Sequence, residues 1–245
     1  MRKVKISLPG DNDYMTEEAY RTLRTNLQFC GRDKKVIAFT SCMENEGKST
    51  IALHVAKSFA QLNKKVLLID ADMRKSVLLG RNTDAQNIKG LSELLTGIDS
   101  VNNCICSTQY KGLKIIFAGT YPPNPVELLN GQYFERFIKK MREYFDYIII
   151  DTPPLGIVVD AAVITVHCDG AVLVMGDRKI NAQMAFDVAD QIKRSGCKLL
   201  GVVKNNTRSG IGRYGYRYSR YGKYGKYGKY GKYGSKGYYY GEKEQ

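Results

Sequence analysis

A chain of 245 residues with net charge +14, 18 tyrosines and no tryptophan has room for one α/β core and an appendage. From Arg208 onward four Arg and six Lys face only Glu242 and Glu244, giving +8 and leaving +6 for everything before it, so a basic tail follows a nearly ordinary domain. The six cysteines form no Cys-x-x-Cys pair, and there are only two histidines, which argues against a disulfide framework or a zinc centre.

Taken in chain order, residues 1–13 read as irregular, although Met1-Arg2-Lys3 precedes no apolar stretch that would serve as a signal peptide. Thr16 is placed to cap a helix over about residues 17–29, with Glu17 and Glu18 in its positive first turn. The apolar run 36–40 predicts a buried parallel strand. A polar loop follows, then a helix over 48–62 with Ile51, Ala52, Val55, Phe59 and Leu62 on one face. Residues 66–70 predict a second strand, the stretch from Gly90 to Gly97 a short helix, and 114–118 a strand. Beyond Pro122-Pro123-Asn124-Pro125 a single helix is expected over 126–144, then a strand over 147–151 and a helix from Asp160. A strand over 171–176, a helix over 181–195 and a strand over 199–204 complete the series. The most apolar region, 147–168, is broken by Asp151, Pro153, Pro154 and Asp160 and is not expected to span a bilayer, so a soluble cytoplasmic protein is expected. Strands alternating with helices predict an α/β fold with a mostly parallel sheet flanked by helices and right-handed crossovers. Ligands of such sheets bind at the carboxyl ends of the strands.

The last stretch is different in kind. Tyr214, Tyr216, Tyr218, Tyr221, Tyr224, Tyr227, Tyr230, Tyr233, Tyr238, Tyr239 and Tyr240 are interleaved with glycine and lysine. Glycine raises the entropy lost on ordering and lysine resists burial, so a disordered tail is expected. The expected organisation is a folded domain over 1–207, including an N-terminal helix at about 16–30, and a flexible tail over 208–245. Read alone, the tail is either a row of phenol hydroxyls offered to an enzyme or an arm for anionic surfaces. Lysines between aromatic rings suit nucleic-acid phosphates and stacked bases.

Ser41-Cys42-Met43-Glu44-Asn45-Glu46-Gly47-Lys48-Ser49-Thr50 joins a strand to a helix, where unpaired N–H groups suit a nucleotide phosphate. Lys48 is placed to reach the outer phosphates and the Ser49 hydroxyl to ligate magnesium. The strict pattern has glycine five residues before Gly47, and Cys42 stands there. Leu67-Leu68-Ile69-Asp70-Ala71-Asp72 and Ile148-Ile149-Ile150-Asp151 put carboxylates at the ends of two buried strands. One strand-end aspartate alone would read as a helix cap or a solvated group. Several on one sheet edge, beside a Gly-Lys-Ser-Thr loop, suit magnesium and a proton acceptor for an attacking hydroxyl.

With these motifs the chain resembles the bacterial tyrosine kinases that regulate capsular and exopolysaccharide synthesis, in their Gram-positive, two-component arrangement. The resemblance covers body and tail: Glu18-x-x-Arg21-x-x-Arg24, the phosphate loop, Asp70-Ala71-Asp72-Met73-Arg74, Pro122 to Leu129, Asp151-Thr152-Pro153-Pro154 and the tyrosine cluster. It implies a P-loop NTPase-like fold using ATP and magnesium. Glu46, Gly47, Lys48, Ser49 and Thr50 would bind the nucleotide, and Ser49, Asp70 and Asp151 the metal. Lys48, Asp70, Asp72 and Asp151 would be catalytic, with the roles of Asp70 and Asp72 not divided. It further implies autophosphorylation of the tail tyrosines, protein tyrosine substrates and a counteracting protein-tyrosine phosphatase. Glu18, Arg21 and Arg24 would join subunits into a ring, although Glu17 and Glu18 can also pair with Arg21 inside the helix. A separate transmembrane activator of the polysaccharide chain-length type would recruit the kinase to the inner face of the membrane. Arg74 suits either a phosphate or an ion pair, and Asn205 is a candidate adenine contact. Relatives often carry proline where Ser76 stands, and no chemical consequence is expected of that difference.

The competing reading is a P-loop ATPase assembly switch of the chromosome- or division-positioning type, with the tail a tether. Those proteins carry a lysine early in the loop, where this chain has Met43. A nucleic-acid binder would leave the strand-end aspartates unexplained, so nucleic acid is not an expected partner.

Overall fold

Short apolar runs between helices set the architecture. The computed structural model describes residues 2–10, 13–83, 85–176 and 182–205; the tail tyrosines from Tyr214 to Tyr240 lie outside them, as does Asn181. Strand β1 (Arg2–Lys3) opens the described chain and is followed by helix α1 (Tyr14–Phe29), β2 (Val36–Ser41), α2 (Lys48–Ala60) and β3 (Val66–Asp70). Next come α3 (Leu78–Asn82), α4 (Leu91–Leu95), α5 (Val101–Cys104), β4 (Ile105–Ser107) and β5 (Leu113–Ile116). The remainder runs α6 (Pro125–Leu129), α7 (Gln132–Tyr144), β6 (Tyr147–Asp151), α8 (Asp160–Thr165), β7 (Gly170–Met175), α9 (Ala182–Arg194) and β8 (Leu199–Lys204).

The strands form one eight-stranded sheet in the order β1-β4-β5-β3-β6-β2-β7-β8. Every described pairing is parallel except that of β4 with β5. Successive residues of a strand point to opposite faces, and both faces are covered. Ile37, Phe39, Leu68 and Ile149 pack with Ile51, Val55 and Phe59 of α2. Val36, Ile69, Ile148 and Ile150 pack with Phe134, Ile138 and Met141 of α7. That two-sided burial explains why the central strands are apolar without alternation.

Three expectations are corrected. The first residues are not wholly irregular: Arg2–Lys3 form β1, which pairs with β4, while residues 4–10 carry no helix or strand, although Val4, Ile6 and Leu8 are buried in alternation. Helix α1 is capped by Asp13, whose carboxylate accepts the Thr16 N–H at 2.9 Å. Thr16 is therefore the third helical residue, where an N–H needs a cap, and not the cap itself. The helix expected over 126–144 is two, because Gly131 leaves the helical region at ψ 153° and restarts the chain as the N-cap of α7. Strand β4 and helix α3 carry too few residues to show a period and were not anticipated.

Helix α1 lies against α2. The Tyr20 ring stacks on His54 at 4.1 Å, Glu17 pairs with Lys57 at 3.3 Å, and Arg24 donates to the Ser58 carbonyl at 3.0 Å. Glu17 and Glu18 also pair with Arg21 within the helix, at 3.2 and 3.5 Å. Among the described residues no helix is long and apolar enough to cross a membrane.

Candidate active site

The phosphate loop leaves the sheet at Ser41 and is held through Glu46, by the loop itself and by the ends of β7 and β8. Glu46 is buried, and its carboxylate accepts the Met43 N–H at 2.8 Å and the Gly176 N–H at 3.0 Å. Asn205, just beyond β8, donates its side-chain amide to the Glu46 carbonyl at 2.9 Å. Gly47 turns with φ +86°, and a Cβ there would meet the Asn205 amide nitrogen at 2.1 Å. Only glycine combines that backbone conformation with such an approach. The Glu46 side chain thus braces the loop, which leaves the backbone of the loop as its phosphate-facing part. The Asn205 side chain is engaged on that same loop.

Lys48 and Ser49 begin α2, so their side chains emerge where the helix N-terminus concentrates unpaired N–H groups. The Lys48 Nζ lies 3.2 Å from Asp72 Oδ2, 3.6 Å from Asp151 Oδ1 and 3.3 Å from Ser49 Oγ. Burial alone depresses this ammonium, but Asp151, Asp72 and Asp70 outweigh it and hold Lys48 above the usual lysine range. Lys48, Ser49 and Thr50 share the lining of one cavity with Asp72, Arg74, Pro153 and Ile157.

Asp70 and Asp151 end adjacent parallel strands and stand opposite each other in register. Both are wholly buried, and burial raises both carboxyls from the ordinary range. The Asp151 charge adds to the rise at Asp70, whereas Lys48 and the Ser49 hydroxyl oppose it at Asp151. Asp72 also reaches the Lys75 N–H at 2.9 Å. The sheet thus brings Lys48, Ser49, Asp70, Asp72 and Asp151 together, as anticipated from their places at strand and helix ends.

A magnesium ion fits this arrangement. Asp151 Oδ1 is a buried oxygen without a hydrogen-bond partner, and Ser49 adds a hydroxyl beside it. Among the described residues no three or more His, Cys, Asp or Glu form an all-protein cage. Magnesium does not need one, because it takes one or two carboxylates and completes its shell with phosphate and water.

Two residues of the site, Asp160 and Ser76, were not anticipated in these roles. Arg74 forks onto Asp160 at 2.8 and 3.0 Å, and Asp160 is fully buried. Of the two readings of Arg74 the ion pair is the one observed. It ties the loop after β3 to the start of α8, where the only sequence signal was a charge inside an apolar stretch. The second is Ser76, whose hydroxyl donates to Asp70 Oδ2; nothing in its neighbourhood of the sequence announced that bond.

The parallel sheet, the braced loop at its carboxyl edge and the lysine among three aspartates define a P-loop nucleotide-binding protein, and residues 34–194 match the AAA domain family. The chain is 44% identical to the tyrosine-protein kinase CpsD of Streptococcus agalactiae over 82% of this chain and 87% of that one. It is 36% identical to the tyrosine-protein kinase YwqD of Bacillus subtilis over 82% of this chain and 86% of that one. The solved structure of the chimerical protein CapA2B2 superposes with a TM-score of 0.77 at 30% identity, over 84% of this chain and 94% of that one. The chain belongs to the bacterial tyrosine-protein kinase family.

Proposed function

We propose that this kinase transfers the γ-phosphoryl group of ATP to tyrosine hydroxyls, chiefly on its own or a neighbour's tail, and so regulates capsular or exopolysaccharide synthesis. The observation that carries the reading is the convergence of Asp72 and Asp151 on Lys48, which lines the phosphate-loop cavity together with Asp72. The phenol oxygen attacks the γ-phosphorus in line, the bond to the bridging oxygen of ADP breaks, and ADP leaves with the electron pair. Asp72, which lines the cavity, accepts the phenolic proton. Lys48 and the N–H groups of the loop hold the outer phosphates. Ser49, Asp70 and Asp151 would hold magnesium, which neutralises charge developing on the phosphates when bound.

Glu18 and Arg21 leave 44% of each side chain exposed on α1, in keeping with a role between subunits of a ring. Arg24 is committed at least in part to Ser58 of its own chain. The proposal includes a transmembrane activator of the polysaccharide chain-length type, which holds the kinase at the inner membrane face. A protein-tyrosine phosphatase resets the tail, and other tyrosine-bearing proteins serve as further substrates. The test is incubation with ATP and magnesium, with and without the activator's cytoplasmic segment, followed by mass spectrometry of the tail. Phosphotyrosine should accumulate among Tyr214 to Tyr240, more with the segment, and be absent in Lys48→Ala. ATP hydrolysis with every tail tyrosine unmodified would favour an assembly switch instead.

A further inference from the structure

Asp70 is wholly buried beside a second carboxylate, yet its own partners are few. Lys48 pairs with Asp72 and Asp151, and among the described residues no cation forms an ion pair with Asp70. Two hydrogen bonds to it are seen: the Asp72 N–H donates to Oδ1 at 3.2 Å, and the Ser76 hydroxyl donates to Oδ2. The first is a long backbone bond to a residue two positions on. Ser76 is therefore the side chain that fixes how this carboxylate is turned.

Ser76 is itself held. It follows the Asp72–Lys75 turn, in which the Lys75 N–H bonds Asp72 Oδ1 at 2.9 Å. Its carbonyl accepts the Tyr121 hydroxyl at 3.5 Å. Tyr121 lies in a loop that buried Glu93 secures, because the Glu93 carboxylate accepts the Thr120 N–H at 3.1 Å and the Thr120 hydroxyl at 2.7 Å. A hydroxyl donating to a buried carboxylate oxygen favours the orientation in which that bond is made. Asp151 stands opposite Asp70 in register, so the orientation set at Asp70 bears on the site the two carboxyls share.

We propose that Ser76 is a positioning residue for magnesium in this kinase: its hydroxyl aims the Asp70 carboxylate at the metal site shared with Asp151 and Ser49. The inference rests on the reading of that site given above. Partners that orient a metal-binding group are worth about 10- to 100-fold in metal affinity when removed. Ser76 touches neither nucleotide phosphate nor acceptor tyrosine in this scheme, so its loss should spare binding that does not involve the metal.

The test compares wild type, Ser76→Ala, Ser76→Thr and Ser76→Pro as full chains. Binding of a fluorescent ADP is titrated first in EDTA and then with increasing magnesium. In EDTA the four should bind alike. The magnesium concentration for half-maximal enhancement should rise about 10- to 100-fold in Ser76→Ala and in Ser76→Pro, which lack the hydroxyl. For this chain that replaces the sequence expectation that serine in place of proline is without chemical consequence. Ser76→Thr, which keeps it, should stay near wild type. A Ser76→Ala chain as responsive to magnesium as wild type would overturn the inference, and so would a Ser76→Thr chain as weak as Ser76→Ala. Thermal unfolding in EDTA separates a misfolded variant from a mispositioned carboxylate, and Ser76→Thr decides the matter if Ser76→Ala fails to fold. A wild-type chain indifferent to magnesium would overturn the underlying site reading, which is a different result from an unmoved variant beside a responsive wild type.

Discussion

Asp70 and Asp151 place two like charges side by side in the interior, on neighbouring strands. Lys48 lies 3.6 Å from Asp151 and makes no ion pair with Asp70, so the cluster is compensated only in part. Burial pushes both carboxyls upward, with the Asp151 charge adding to the rise at Asp70 and the Asp72 charge to the rise at Asp151. An arrangement of this kind is retained for the cation it binds and lowers the stability of the metal-free fold. Asp70→Asn keeps the shape and removes one charge. In EDTA it should raise stability against urea by about 0.5–2 kcal/mol while abolishing phosphoryl transfer. A loss of stability would mean that the carboxylate, and not its neighbour's relief, holds this corner together. Asp70, Asp72 and Asp151 were legible in the sequence because each follows an apolar strand. Ser76 and Asp160 were not: both act through a chain that doubles back, and the Arg74–Asp160 pair joins residues 86 positions apart.

The elements divide the molecule into a working edge and a structural edge. At the amino ends of the strands, Asp169 accepts the Lys35 and Val36 N–H groups at 2.8 and 2.7 Å and both terminal nitrogens of Arg142 at 2.9 Å. One carboxylate thus joins the start of β2, the approach to β7 and the end of α7. Asp169→Ala leaves an Arg and two backbone donors without it and should lower stability by about 1.5–3 kcal/mol. Activity per folded molecule should be unchanged, because the phosphate loop lies at the opposite edge. Urea denaturation beside initial rates checks both halves, and a fall in rate for the folded variant would show that the two edges communicate. Central strands and the helix after the phosphate loop were readable because their apolar runs are long and bounded by polar loops. The strand Ile105–Ser107, antiparallel to β5, was not readable, since so short a run shows no period. The break at Gly131 was hidden because an apolar face continues on both sides of it.

At the scale of the whole molecule, the sheet sets nucleotide chemistry at one edge and the sequence supplies a basic, tyrosine-rich tail of +8. Composition alone left that tail open between a binding arm and a substrate. The site decides how the question is put, because a lysine among three aspartates on a phosphate loop asks for a phosphoryl acceptor. A tail of about 30 residues with the flexibility its composition leads one to expect would span roughly 30 Å, enough to reach the site of an adjoining subunit. The most direct measurement mixes two full-length variants with ATP, magnesium and the activator segment. One carries Lys48→Ala with its tail intact, and the other keeps the site with every tail tyrosine changed to phenylalanine. Mass spectrometry should find phosphotyrosine on the tail of the Lys48→Ala chain, although neither variant alone yields any. ATP consumed by the mixture with no phosphotyrosine on the tail of the Lys48→Ala chain would contradict the account.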